Sequence, residues 1–339
     1  TGYYEAFLKW AAYHGVDVLV CHLLKSQEDW ARLPEQTRDE LLERMRTAGV
    51  IEMLRSRDLI QLNESLQKAG IFVLLLKGGA LAYTHYPEPH LRSRVDTDIF
   101  IDSGDIKTIR TLFVDLTYEL RGWIYTSNQF NCFRRDPCFG AIQYDVHWRS
   151  SNRSKYARII HYEEAKSSAV AIARLDGILT LKPVFELLQA CVHRAGSERH
   201  DPNRLIWLYD IHLLLTAMPE DELLEFAQRA VSENVQVICS DAIQRTMACF
   251  ATRVPDQVLE ALSATPRAAA THCYADSPLA LIVDDLRQLP DISSKLDLLR
   301  EYLLPPGDYL LARYNREGRM WVPVLYLRYF FGGFFERMT

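Results

Sequence analysis

The segment LLLKGGALAYTHYPEPHLRSRVDTDIFID, residues 74–102, joins an apolar run to a pair of acids by way of two glycines. The run IFVLLLK has the length of a strand, and ALAYTHY has the pattern of a short helix that begins at Gly78 and Gly79. A second predicted strand, RVDTDIFID, carries Asp96 and Asp98 among apolar residues. Because side chains alternate along a strand, these two carboxylates point the same way and repel each other unless a cation compensates them.

A divalent metal would relieve that repulsion, and Mg²⁺ is commonly held by one or two carboxylates together with substrate phosphates. A third acid, Asp145, lies in the apolar segment AIQYDVHWRS, which also has the pattern of a strand. If that strand lies beside the strand of Asp98, three carboxylates can surround one or two metal ions. Gly78 and Gly79 have no Cβ, so the backbone there could approach a phosphate at the start of a helix. The segment therefore predicts a site for a metal and a nucleoside triphosphate.

Length and composition are those of an ordinary globular protein. The chain has 339 residues, 48% of them hydrophobic and 24% charged, which is enough for about two domains. Its net charge of −5 gives no general attraction for nucleic acid. The seven cysteines form no CxxC pair, which argues against a disulfide framework or structural zinc and favours a cytoplasmic location.

The hydrophobic pattern divides the chain into three parts. Residues 1–70 and 166–339 read as helices, and residues 71–165 read as strand, helix, strand, helix, strand. Within the middle part, residues 105–123 are predicted to form one amphipathic helix. The aromatic end, VLYLRYFFGGFFERMT, predicts a buried or docking helix, with contact to a membrane surface as the alternative. The fold class is α+β.

The motifs resemble the nucleotidyltransferase superfamily related to DNA polymerase beta, and within it the family labelled uncharacterised nucleotidyltransferase. LKGGAL, LRSRVDTDIFI and YDVHW match its glycine motif, its DxD strand and its third-Asp strand, and the resemblance continues through RLIWLYDIHLLL to YLLPPGDYLLARY. It covers nearly the whole chain and implies a polymerase-beta-like nucleotidyltransferase core, a small mixed sheet with flanking helices. The implied parts are an N-terminal helical region (1–70), the core (71–165) and a C-terminal helical domain (166–339). One departure is the 16 residues between Gly79 and Asp96, which a longer connecting segment accommodates.

The resemblance assigns roles to five residues. Asp96, Asp98 and Asp145 would bind Mg²⁺ (or Mn²⁺) and the phosphates of an NTP, and Asp145 could also help to deprotonate the acceptor. Gly78 and Gly79 would hold the triphosphate.

Three basic residues of the same segment are less decided. Lys77 could meet a phosphate, or it could point to solvent at the end of its strand. Arg92 matches the family's arginine four residues before the first acid, so it could neutralise phosphate or brace the loop through a carboxylate. Arg94 matches nothing specific, and we expect a solvated charge there.

Further polar residues lie in apolar surroundings beyond this segment. His147 would share a strand face with Asp145 and could touch substrate or orient that acid, although the pattern favours a structural histidine slightly. His193 and Arg204 are candidates for a substrate cleft beside the helical domain, and His193 could instead be a buried, hydrogen-bonded histidine. Asp210 is expected to pair with Arg204 or Lys182.

The expected activity is transfer of an NMP from an NTP, such as ATP, to a hydroxyl or phosphate of an acceptor, with release of pyrophosphate. The acceptor could be a small molecule, a peptide or an RNA, and the sequence leaves it open, together with the base and the oligomeric state. One alternative is a toxin-like enzyme that modifies RNA or protein, for which RSSNRSK, residues 149–155, could supply a basic patch. Others are a tailoring enzyme that acts on a natural product or peptide, and a nucleotide-binding module without catalysis.

Overall fold

The structure, a computed structural model, describes residues 2–124, 128–136, 140–196 and 201–263, together with parts of 282–330. It is a mixed α+β protein, as the sequence predicts. The helices, in chain order, are α1 (Gly2–Tyr13), α2 (Asp17–Leu24), α3 (Glu35–Lys68), α4 (Lys77–Thr84), α5 (Ile106–Asp115), α6 (Tyr162–Ser167), α7 (Pro183–Gly196), α8 (Leu205–Ala217), α9 (Glu220–Ser232), α10 (Gln236–Phe250), α11 (Asp256–Ser263), α12 (Ile292–Leu303) and α13 (Val322–Arg328). The strands are β1 (Leu74–Leu76), β2 (Thr97–Phe100), β3 (Glu119–Ile124), β4 (Gln129–Asp136), β5 (Gly140–His147), β6 (Val170–Ala171) and β7 (Leu179–Thr180).

One mixed sheet runs in the order β3-β4-β5-β2-β1-β7-β6. The three strands that the sequence predicts, β1, β2 and β5, are direct neighbours at its centre. β2 pairs in parallel with β5 and antiparallel with β1, while β1 pairs in parallel with β7. The sheet takes in residues up to Thr180, beyond the predicted boundary at residue 165. The division into three parts at residues 70 and 165 stays a prediction.

The helix predicted over residues 105–123 is wrong in its second half. α5 ends at Asp115, and β3 begins at Glu119 and pairs with β4. Thr117 has a φ of +66°, in the left-handed region that a continuing helix cannot use. The hairpin of β3 and β4 was not predicted, although Phe130 and Cys132 alternate with polar residues along β4 and are buried.

The long helix α3 is fastened to the sheet through a buried acid. Asp58 accepts hydrogen bonds from the hydroxyls of Tyr118 (2.5 Å) and Tyr144 (2.7 Å), and it forms an ion pair with Arg134 of β4. These three donors come from β4, from β5 and from the turn before β3, so one carboxylate ties α3 to one end of the sheet.

The helices α7 to α10 pack on one another and share a large apolar cluster with β1 and β2. Of the aromatic end, α13 is described, and its Leu325 packs with Leu310 and Tyr329 in a small separate cluster. Residues 331–339 of the predicted docking segment lie outside the described residues. Within the part of the chain that the structure describes, no helix is long and apolar enough to span a membrane.

Candidate active site

The parallel pairing of β2 with β5 sets two of the predicted acids side by side. Asp98 and Asp145 are register partners, so their side chains leave the sheet on the same face, and both are buried. Asp96 precedes the first residue of β2 and is half-buried. The sequence left open whether these strands are neighbours, and the structure brings them together.

A lysine and a histidine both contact Asp98. The ammonium of Lys77 lies 2.6 Å from Asp98 Oδ1, and His147 Nε2 lies 2.7 Å from the same oxygen. Burial, followed by the charge of Lys77, lowers the pKa of His147 and favours the neutral imidazole. A neutral imidazole protonated at Nε2 donates to Asp98, as the ammonium does, so one carboxylate oxygen accepts two hydrogen bonds. His147 therefore orients an acid of the site, and the acid that it contacts is Asp98, where the sequence pointed to Asp145.

The three carboxylates have very different tendencies to ionise. Burial opposes ionisation of Asp98, but Lys77 and then His147 outweigh burial and hold the pKa of Asp98 well below its usual range. Burial, followed by the charges of Asp98 and Asp96, raises the pKa of Asp145 to about 7. Burial and the charge of Asp98 also raise the pKa of Asp96. Burial and mutual repulsion thus oppose full ionisation of all three carboxylates at once.

Three amide side chains hold Asp145 in place. Asn131 Nδ2 donates to Asp145 Oδ1 at 2.5 Å, and Gln129 Nε2 donates to Oδ2 at 3.3 Å. Gln143, two residues before Asp145 on β5, lies 3.4 Å from Oδ1. Sequence reasoning missed Gln129 and Asn131 because it missed β4, where these two residues alternate with buried apolar residues, and it did not single out Gln143 on the predicted strand β5. That alternation was the available signal.

The donor atoms suit a divalent cation. One ligand atom from each of Asp98, Asp145 and His147 lies within 4.8 Å of the others. Two hard carboxylate oxygens fit Mg²⁺ or Mn²⁺, and a bound cation would relieve the repulsion by Asp98 and Asp96 that, after burial, raises the pKa of Asp145. Asp96 is not in this group of three, so its predicted role as a metal ligand stays a prediction.

The glycine pair serves packing within the protein. A Cβ at Gly78 would lie 2.9 Å from Arg92 Cζ, and a Cβ at Gly79 would lie 3.2 Å from a methyl group of Leu75. The space beside each glycine is therefore filled by a side chain, and a phosphate-binding role stays a prediction. Lys77, which begins α4, has a φ of +51°, a strained conformation for a residue with a side chain and one that functional sites often retain.

Arg92 braces its loop against the helical region. Its Nε and Nη2 donate to both carboxylate oxygens of Asp210 on α8, at 2.6–3.0 Å, and its Nη1 donates to the Ser93 carbonyl. Tyr86 also donates to Asp210, at 2.8 Å. The expectation that Asp210 pairs with Arg204 or Lys182 is therefore wrong, because its partners are Arg92 and Tyr86. For Arg92, these contacts favour bracing over phosphate neutralisation.

The expectation of a solvated Arg94 is also wrong. Its side chain is only 4% exposed, and its Nη2 lies 2.8 Å from Glu52 Oε1 on α3. The hydroxyl of Tyr83 donates to the same oxygen at 2.5 Å. The loop before β2 is therefore anchored to both α3 and α4.

His193 lies beside the acids, and Arg204 lies farther along the helical region. Burial, followed by the charge of Lys77, lowers the pKa of His193 to about 3, so the ring is neutral there. Its ring meets that of Trp207 edge to face, with centroids 5.1 Å apart. Arg204 lies over the same indole, and a Cβ at Gly15 would come within 3.1 Å of its Nη2. Arg204 thus sits where α8 meets the turn after α1.

The structure weakens the interpretation of residues 149–155 as a basic patch that binds RNA. Within residues 149–155, Arg153 is buried, and the ammonium of Lys155 lies 5.6 Å from the centroid of the Tyr156 ring. These positions do not favour a solvent-facing groove for nucleic acid.

Comparison with known proteins shows a family and a distant likeness to a solved structure. A family model described as uncharacterised nucleotidyltransferase matches residues 4–251. No curated protein matches the chain. Among solved structures, an antigenic nucleotidyltransferase-like protein from Paracoccidioides brasiliensis is 13% identical, with a TM-score of 0.39, over 58% of this chain and 95% of that one. Since the family model covers well over half of the sequence and includes every site residue described above, the chain belongs to the family of uncharacterised nucleotidyltransferases.

Proposed function

We propose that this protein is a Mg²⁺-dependent nucleotidyltransferase. It transfers an NMP from an NTP to a hydroxyl or phosphate oxygen of an acceptor and releases pyrophosphate. Membership of the family supports nucleotidyl transfer in general, and the acid cluster on β2 and β5 supports the metal dependence.

The observation that carries the proposal is the register of two neighbouring parallel strands. Asp98 and Asp145 are direct partners in that register, buried on one face, and their mutual repulsion contributes to a pKa of about 7 for Asp145. Such repulsion costs folding free energy, so a divalent cation that takes both oxygens would relieve it. Lys77 neutralises Asp98, but the three side chains described above that hold Asp145 are neutral amides, whereas the structural acid Asp58 is paired with Arg134.

Each residue then has a task within the reaction. Asp98 and Asp145 would hold the cation, with Asp96 at the edge of the cluster facing the triphosphate. Bound Mg²⁺ or Mn²⁺ would supply charge neutralisation for the phosphates and the leaving pyrophosphate. Lys77 and His147 keep Asp98 ionised and oriented, and the amides of Asn131 and its neighbours fix Asp145.

The proposal is tested by release of pyrophosphate. Purified protein is incubated with Mg²⁺, NTPs labelled at the α-phosphate, and acceptors of three classes: small molecules, peptides and RNA. We expect transfer of label to one class, and we expect Asp98→Asn and Asp145→Asn to lower the rate about 100-fold or more. Asp115→Asn, at the exposed end of α5, removes a carboxylate that is not part of the acid cluster and should leave the rate unchanged.

Two results would contradict the assignment. Equal rates for Asp98→Asn and the wild type would show that the acid cluster is not the reactive site. Calorimetric binding of NTP and Mg²⁺, with no transfer to any class of acceptor, would instead favour a nucleotide-binding module.

A further inference from the structure

Two arginines meet on the side of Asp96 that faces α3. Arg55, on α3, donates through Nη2 to the carbonyl of Val95 at 3.1 Å, which puts its guanidinium one residue from Asp96. Arg94 is two residues before Asp96 and is buried against the same helix. The two guanidiniums are close enough that the charge of Arg94, after burial itself, lowers the pKa of Arg55. Like charges are thus held together at the edge of the acid cluster.

The charges in this arginine pair are not balanced by its acidic neighbour. Glu52 forms an ion pair with Arg94, and it also accepts the hydroxyl proton of Tyr83. Two guanidiniums therefore share one glutamate. The next acid is Asp96. Its charge raises the pKa of Arg55, but by less than Glu52 raises it and by less than Arg94 lowers it. If Asp96 serves the metal and triphosphate, an excess of positive charge remains beside it.

Arg94 also has donors that no described residue of the protein accepts. Its Nε and Nη1 are buried and have no hydrogen-bond partner among the residues that the structure describes. A buried donor without a partner is costly, and the hydrogen bonds of a charged guanidinium are stronger than those of a neutral donor. A multiply charged oxyanion would offer acceptors to such a pair in a geometry that a single carboxylate does not.

We propose that Arg55 and Arg94 form an anion subsite beside Asp96 that takes a phosphate group. The inference rests on the proposed function, because the reaction supplies phosphates at this place. The group could be the terminal phosphates of the NTP, which leave as pyrophosphate, or a phosphate on the acceptor. Both sources present the same chemistry to the guanidiniums.

Direct binding tests the subsite without requiring turnover. Full-length protein with Mg²⁺ is titrated calorimetrically with pyrophosphate and with an α,β-methylene NTP analogue. We expect Arg55→Gln to weaken pyrophosphate binding about tenfold or more, as the loss of a charge-assisted hydrogen bond implies. The matched control is Arg57→Gln, two residues along α3 and exposed, which should bind as the wild type does. Arg55→Lys keeps the charge without the planar fork and should restore binding in part.

The same variants identify the source of the phosphate. If Arg55→Gln weakens both pyrophosphate and the analogue, the subsite holds the tail of the NTP. Arg55→Gln could instead leave the binding of pyrophosphate and of the analogue unchanged, but abolish the binding of inorganic phosphate to protein that is saturated with the analogue. In that case the subsite holds the acceptor's phosphate. The subsite is refuted if Arg55→Gln matches Arg57→Gln with all three probes, or if the wild type binds none of them. Thermal melting of each variant checks that Arg55→Gln is folded.

The outcome is separable from that for the proposed function. Binding that depends on Arg55, in a protein that releases no pyrophosphate with any acceptor, would keep the subsite and refute the transferase. Conversely, pyrophosphate release could depend on Asp98 but not on Arg55, while Arg55→Gln binds the probes as the wild type does. That result would keep the transferase and refute the subsite.

Discussion

Replacing Glu186 by glutamine should stabilise the protein in a way that depends on pH. Glu186, on α7, is buried, and its Oε1 lies 2.9 Å from the hydroxyl of Thr180 on β7. The same hydroxyl lies 2.8 Å from the carbonyl of Leu75. A hydroxyl has one proton to donate, so if it donates to the carbonyl, Glu186 must be protonated to complete the second hydrogen bond. Burial is also the main reason that the pKa of Glu186 is raised to about 7.

The size of the effect follows from that pKa. The ordinary value is 4.5, and the folded value is about 7, a difference of about 2.5 units, or about 3 kcal/mol at 1.36 kcal/mol per unit. Below pH 4.5 both states are protonated and Glu186 costs nothing. As the pH rises from about 4.5 to about 7, the unfolded chain ionises while the folded chain keeps its proton, so this group lowers the free energy of unfolding. Above pH 7 the loss is complete.

Urea denaturation at pH 5 and pH 8 measures the effect. Glutamine keeps the shape and can donate to the Thr180 hydroxyl without titrating, so Glu186→Gln should gain up to about 3 kcal/mol over the wild type at pH 8 and far less at pH 5. Glu220→Gln, on the exposed first turn of α9, controls for removal of a surface charge and should change stability by less than about 0.5 kcal/mol. A gain that is the same at both pH values, or a loss at pH 8, would refute the raised pKa of Glu186.

Three further substitutions probe packing and can be measured in the same urea titrations. Gly78→Ala puts a Cβ 2.9 Å from Arg92 Cζ, which should disturb a buried ion pair and cost about 3 kcal/mol. If Gly78→Ala is as stable as the wild type, the guanidinium of Arg92 can move away from the added methyl group at no cost. Gly49→Ala, within α3 where a Cβ meets nothing within 4 Å, should instead stabilise by about 1 kcal/mol, and a loss would contradict the open space. Asp58→Ala leaves the Tyr144 hydroxyl and a cation without their acceptor and should cost about 3 kcal/mol or more; a cost below 1 kcal/mol would refute its anchoring role.

Local patterns in the sequence were enough to predict the three central strands and the acids that two of them carry. Apolar runs of strand length predicted β1, β2 and β5, and the two-residue spacing within DTD, together with the third acid, suggested a common cluster. The pairing of Asp98 with Asp145 confirmed that the two strands are neighbours. Helical periodicity likewise predicted α3 and α7 to α10.

What the sequence did not predict depends on contacts between distant segments. Arg92 and Asp210 are 118 residues apart, and no periodicity in either segment indicates that they pair. Arg94 was expected in solvent because nothing in the local sequence indicates that its charge is buried. The ion pair with Glu52, which accompanies that burial, depends on the packing of the loop against α3. Arg55 was not singled out because α3 is rich in charged residues, and its exposed and inward-facing positions look alike in sequence. The strands β6 and β7 have two residues each, too few to show an alternation.

The pairing of Arg92 with Asp210 also has a consequence for synthesis on the ribosome. The loop that carries the DxD strand is complete more than one hundred residues before its carboxylate partner emerges. At a rate of synthesis of about 5–20 residues per second, Arg92 has no carboxylate partner for at least several seconds after it has been made. The final arrangement of the loop is therefore among the later events of folding, after the acids of β2 and β5 have both been made.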